Sequence, residues 1–135
     1  MKGRHIIRNQ QGFTLIEIIA VLILLGILAA VAVPKYMDLT DTARLKAAQG
    51  QISEVKARLA GAEASYLLKN NGVKPTAAQL LTEVTTARCP TTATAEGDFT
   101  FVCAANGTAA VDITVSVVQT KTLSTAQVGT YTIVP

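Results

Sequence analysis

The chain has no tryptophan, one histidine and two cysteines among its 135 residues, and only 4% of it is aromatic. The histidine, His5, lies ahead of a long apolar run, so the body of the chain contains none. Ser-His and Cys-His nucleophilic sites and histidine-based metal sites are thereby excluded from the body, and two cysteines alone cannot hold zinc. No glycine-rich phosphate loop is present. Asp38 and Asp41 lie near each other in sequence, but nothing around them is suited to acid–base work, and a solvated helix face accounts for them. Glu96-Gly97-Asp98 is thin evidence for a calcium loop. The composition is not that of a collagen-like, disordered or cysteine-dense scaffold. These absences argue against an enzyme and imply no cofactor or metal.

Basic charge is also scarcer than it first looks. The formal +3 comes from 12 Lys and Arg against 9 Asp and Glu. Lys2, Arg4 and Arg8 fall in the first twelve residues, which hold no acid, so the remainder balances at 9 against 9. The pI near 9.0 belongs to this head and does not describe a nucleic-acid-binding surface. No nucleic-acid partner is inferred.

Apolar residues, by contrast, are plentiful and unevenly placed. Half the chain is hydrophobic, and Phe13 to Val33 is a 21-residue run with no charge except Glu17. As a helix it would be about 31 Å long, close to the roughly 30 Å hydrocarbon core of a bilayer. Three readings of this front end compete. A secretory signal peptide could be cut near Ala30-Val31-Ala32, but the run is too long for one and Glu17 sits only five residues into it. A plain single-pass anchor, with the basic head retained inside, fits the length and leaves Glu17 unexplained. An unpaired carboxylate there costs on the order of 2.5–3.5 kcal/mol, so such groups usually find a partner.

The third reading rests on Gly12-Phe13-Thr14-Leu15-Ile16-Glu17, preceded by the basic head and followed by Pro34. Over Lys2 to about Leu39 the chain resembles the type IV pilin and type II secretion pseudopilin family. The resemblance implies a leader over residues 1–12 that a prepilin peptidase cuts after Gly12, with N-methylation of the new terminus at Phe13. It places Glu17 at the fifth mature position, where the family's acid recognises the N-terminus of a neighbouring subunit. It also places Pro34 at the twenty-second, where, with Gly26, a kink or a melting segment is expected. The new amine at Phe13 would be the cation that Glu17 lacks, on its own helix or on an adjacent copy.

After Pro34 the pattern becomes amphipathic. Leu45, Ala48, Ile52, Val55, Leu59, Ala62 and Tyr66 recur at alternating spacings of three and four, with Arg44, Lys46, Glu54, Lys56, Arg58 and Glu63 on other faces. The spacing predicts a helix from Phe13 to about Lys69, stopped by Asn70-Asn71-Gly72. A two-chain coiled coil would show a similar stripe, but alanine at two seam positions favours packing on a sheet of the same chain.

In the C-terminal half, Thr76 and Gln79 have capping-box spacing and predict a short helix through Leu80, Leu81 and Glu83. Phe99, Phe101 and Cys103 would share one face of a strand. Asn106-Gly107 signals a hairpin; it also begins a glycosylation sequon with Thr108, but turn chemistry is the simpler reading. Val111, Ile113, Val115 and Val117 alternate with polar residues, and Tyr131-Thr132-Ile133 suits a last strand. In an exported domain Cys89 and Cys103 most simply form a disulfide, worth about 3 kcal/mol in the chain-entropy model. By resemblance to pilins, the segment between them is a candidate outward-facing loop.

The expected fold is α+β: a long N-terminal helix, apolar in its first half, on a three- or four-stranded antiparallel sheet. The expected divisions are a leader over 1–12, an apolar segment over 13–33, an amphipathic half-helix over 34–71 and a head over 72–135. The function implied is a structural subunit of a type IV pilus. It would be held in the bacterial inner membrane, then polymerised with copies of itself into an extracellular filament by pilus or secretion assembly machinery. A pseudopilin of type II secretion is the alternative within the family. A membrane-anchored or secreted binding module that does not polymerise is the alternative outside it.

Overall fold

The computed structural model describes residues 12–85 and 88–133. The leader expected over 1–12, with Lys2, Arg4, His5 and Arg8, therefore lies outside the described residues apart from Gly12. The elements run α1 (Leu15–Lys69), α2 (Ala77–Val84), β1 (Thr94–Glu96), β2 (Phe99–Asn106), β3 (Ala110–Val118) and β4 (Lys121–Thr132). The chain divides into two compact units, one ending at Leu39 and the other beginning at Thr40.

The first unit is the apolar part of α1. Helix continues through Gly26 and Pro34, although a proline has no N–H to give to the carbonyl one turn back. Every large apolar side chain from Phe13 to Leu39 is exposed, from 42% at Ile19 to 78% at Phe13. No described residue covers them.

The second unit is built from the remainder of α1, the short α2 and the sheet. Ala48, Ile52, Val55 and Leu59 form the buried stripe of α1, while Leu45, Ala62 and Tyr66 at its ends are only half-buried. The helix stops because Asn71 and Gly72 turn left-handed, at φ of 51° and 83°. The Gly72 N–H then donates to the Leu67 carbonyl at 2.8 Å, and the Asn70 side-chain amide donates to the Tyr66 carbonyl at 2.9 Å. These bonds satisfy carbonyls that the last turn would otherwise leave open. α2 begins on Thr76, whose hydroxyl accepts from the Gln79 N–H while the Gln79 side chain accepts from the Thr76 N–H, the two bonds of a capping box.

The sheet is an antiparallel meander in the order β1-β2-β3-β4. Cys103 lies opposite Ile113, and Val111 opposite Tyr131. β2 and β3 are joined through Gly107, whose φ of +69° makes the turn. One face of the sheet packs on α1 and α2: Phe101, Cys103, Val111, Ile113, Val115, Val118 and Ile133 close a single core with Val55, Leu59, Leu80 and Val84.

Three expectations need correction. β4 runs from Lys121 to Thr132, far longer than the strand read at 131–133. Between Val115 and Val117 the register slips, so Val118 rather than Val117 is the buried end of β3. Such a bulge inserts extra residues and turns later side chains onto the other face. Glu63, placed among the solvent-facing charges by its sequence position, is buried at 8% exposure.

Candidate functional site

The segment around the Gly12–Phe13 bond is open. A side-chain carbon added at Gly12 would meet nothing within 4 Å, and Phe13 is exposed. Thr14 starts α1: its carbonyl accepts from the N–H groups of Glu17 at 3.1 Å and Ile18 at 3.3 Å, and its hydroxyl accepts from the Glu17 N–H at 3.4 Å. Thr14 goes unmarked in the sequence reading, although Thr-x-x-Glu ahead of an apolar run is the signal for a helix start. Helix begins at Leu15, two residues later than the expected Phe13.

Glu17 lies in the first turn of α1, where a carboxylate interacts favourably with the unpaired N–H groups of the helix end. Its carboxylate forms no ion pair or hydrogen bond with any described residue. Gly12, Phe13 and Glu17 thus stand together at one exposed helix start, next to an uncovered apolar surface. Chemically this arrangement offers an accessible peptide bond and, one turn on, an acid able to take a cation.

Gly26 and Pro34 lie further along the same helix, with open space where a side chain at Gly26 would project. Cys89 and Cys103 are joined by a disulfide, with Cα atoms 5.6 Å apart and both residues buried. The Cys103 N–H also donates to the Pro90 carbonyl at 2.7 Å, so the bridge anchors the chain entering β1 to β2. Thr91 to Ala95, inside that loop, is exposed.

Charged and polar groups hold the head on its part of α1. The Arg58 guanidinium donates to both carboxylate oxygens of Glu96, at 2.7 and 2.9 Å, to Glu54 at 2.7 Å and to the Arg88 carbonyl at 3.3 Å. The hydrogen bonds from Arg58 hold the Glu96 carboxyl below its usual range, and Arg58 is raised in turn. Asp41 accepts from Arg44 at 2.9 Å and from Lys121 at 3.2 Å, and its carboxyl is lowered chiefly by Lys121. Buried Glu63 accepts from the Tyr131 hydroxyl at 2.6 Å. Burial, and then the bond to Glu63, push the Tyr131 hydroxyl up to about 12.

Other sequence candidates resolve into structure. Asn106 ends β2, where its side-chain amide donates to Asp112 of β3 at 2.9 Å, and Gly107 alone of the Asn-Gly pair takes the left-handed turn conformation. Among the described residues no three His, Cys, Asp or Glu side chains stand close enough to hold a metal, and the Glu96 oxygens are taken up by Arg58.

Residues 7–33 match the family described as the prokaryotic N-terminal methylation motif. The chain is 50% identical over 52 residues to the type II secretion system core protein G of Pseudomonas aeruginosa, covering 38% of this chain and 37% of that protein. It is 39% identical over 70 residues to the type IV narrow pilus major component PilA5 of Thermus thermophilus, covering 52% of this chain and 56% of that protein. It is 50% identical over 50 residues to the type IV major pilin protein PilE1 of Neisseria gonorrhoeae, covering 34% of this chain and 30% of that protein. The chain thus spans about a third to just over half of the length of these curated relatives. No solved structure matches it significantly.

Proposed function

Because the chain belongs to the type IV pilin and type II secretion pseudopilin family, a family of structural subunits, we propose that it is a prepilin that polymerises into a surface pilus. Prepilin peptidase cuts between Gly12 and Phe13 and methylates Phe13. The apolar part of α1 then holds the subunit in the inner membrane until the assembly machinery draws it into a helical filament. Cutting converts the amide nitrogen of Phe13 into an amine, which is largely protonated at neutral pH. Glu17 takes that cation from the neighbouring subunit, which offsets the cost of holding a carboxylate in an apolar filament core. Gly26 and Pro34 weaken the helix between them, so that this stretch unwinds when the subunit leaves lipid. The Cys89–Cys103 loop faces outward from the fibre.

The observation that carries this reading is the exposed apolar surface from Phe13 to Leu39 beside an unpaired Glu17. A surface of that extent must be covered by lipid or by other chains. N-terminal sequencing tests it: mature protein beginning at methylated Phe13 supports the reading, Met1 points to an uncut anchor, and Val33 to a secreted domain. The 50% identity to a type II secretion core protein favours a second reading, a secretion pseudopilin. Electron microscopy of material sheared from cells separates a long surface fibre from that short one.

A further inference from the structure

We propose that the groove between α1 and the α2–β1 connection receives the acidic β1–β2 turn of a second copy, with Arg88 of one head facing Asp98 of the next. The inference rests on the filament reading and names one of its contacts.

The groove has a volume of about 560 Å³ and is bounded by Arg58 and Gly61 on α1 and by Glu83 and Arg88 on the other side. Most of its charge is already committed. Arg58 is held by Glu54 and Glu96, and Glu83 pairs with Lys69. Arg88 gives only its carbonyl to Arg58 and its N–H to Thr85, and its guanidinium meets no partner among the described residues. Among the described residues the groove therefore presents one cation without a side-chain partner, exposed and able to receive a carboxylate.

The head carries such a carboxylate elsewhere. Asp98 sits in the exposed β1–β2 turn, beside the left-handed Gly97. Its carbonyl accepts from the Gln119 N–H at 2.7 Å, but its carboxylate is also without a partner among the described residues. That turn abuts the β3–β4 turn, where Val118 and Gln119 border Thr40 and Ala47 of α1. Arg88 and Asp98 form no pair with each other inside one head, although Glu96, two residues from Asp98, reaches Arg58 in the groove, so each is open to a partner on another copy. Two different patches meeting head to tail generate an open helical array rather than a closed dimer. Opposite charges set the register of such a contact, and like charges oppose it.

The test uses the full-length chain in cells that process it, with filaments quantified after shearing and subunit levels measured in the membrane. Arg88→Glu and Asp98→Arg should each lower filament yield by about tenfold or more, corresponding to roughly 1.4 kcal/mol per contact, with subunit levels unchanged. The double variant Arg88→Glu/Asp98→Arg should restore the yield. Gly61→Leu is a control that does not alter charge. It fills the groove, meets open space within its own head and improves helix propensity, so it should spare the subunit and suppress filaments. Normal filaments from either single charge variant overturn the docking contact while leaving the filament reading intact. Single defects that the double variant does not rescue assign the groove to something other than a second copy, and overturn it too. Absence of filaments from the parent chain overturns both.

Discussion

Tyr131 and Glu63 stand 68 residues apart in the chain and share one short hydrogen bond on the inner side of the head. The tyrosine is the donor, so the contact requires its proton. Its folded-state value of about 12 lies above the ordinary 10. A raised acid of this kind contributes stability in full below the unfolded value and loses it as the pH climbs through the folded one. Unfolding of the detergent-solubilised chain by urea should therefore show stability falling between pH 10 and 12. Tyr131→Phe should flatten that slope and cost about 1–3 kcal/mol at neutral pH, because buried Glu63 then lacks a donor. Nothing local in the sequence reveals this pair. Glu63 adjoins Ala62 on the edge of the apolar stripe, and a charge at that position reads as solvated unless its distant partner is known.

Among the elements, those written in local chemistry were legible and those set by tertiary approach were not. The capping box at Thr76 and the stop at Asn70-Asn71-Gly72 depend on residues within a few positions of each other, so the sequence states them directly. β4 shows no apolar alternation between Lys121 and Gly129, because this part of the edge strand packs only Leu123 against the core, with Tyr131 following near its end. Gly129 explains part of that reticence: a side-chain carbon there would overlap the Ile52 side chain and lie 3.3 Å from Lys56. The strand is kept bare so that α1 can lie against it. Gly129→Val should destabilise the head by about 1–3 kcal/mol, and pairing Gly129→Ala with Ile52→Ala should recover part of the loss of the single glycine change in a double-mutant cycle. The β3–β4 turn is a second case. Gln119 and Thr120 both hold positive φ, 52° and 62°, a geometry that two-residue hairpins usually give to Asn-Gly pairs. The paired changes Gln119→Asn and Thr120→Gly should therefore relieve the turn and raise stability by about 1–2 kcal/mol in the same unfolding assay.

At the scale of the whole molecule, the chain combines a head that satisfies its own core with an apolar helix surface that no described residue covers. That contrast was visible in the sequence, since a 21-residue apolar run interrupted by one acid has no soluble packing solution of its own. The Thr14 cap, written in the local Thr-x-x-Glu spacing, satisfies the Glu17 N–H, and what the sequence did not disclose is that the Glu17 carboxylate then has no partner among the described residues. If the carboxylate serves the helix alone, removing its charge should cost no more than the about 0.3–1 kcal/mol of a helix-end interaction and leave assembly unchanged. If it captures the amine of an incoming subunit, Glu17→Gln keeps the shape and the processed N-terminus at Phe13 but removes the attraction that selects register. Membrane-held, processed subunit should then accumulate while filament yield falls by about tenfold or more, the effect of losing at least about 1.4 kcal/mol per docking event. N-terminal sequencing of the membrane fraction and electron microscopy of sheared material measure the two halves of that outcome. Normal filaments built from correctly processed Glu17→Gln subunits would assign the acid to the helix end and take it out of assembly.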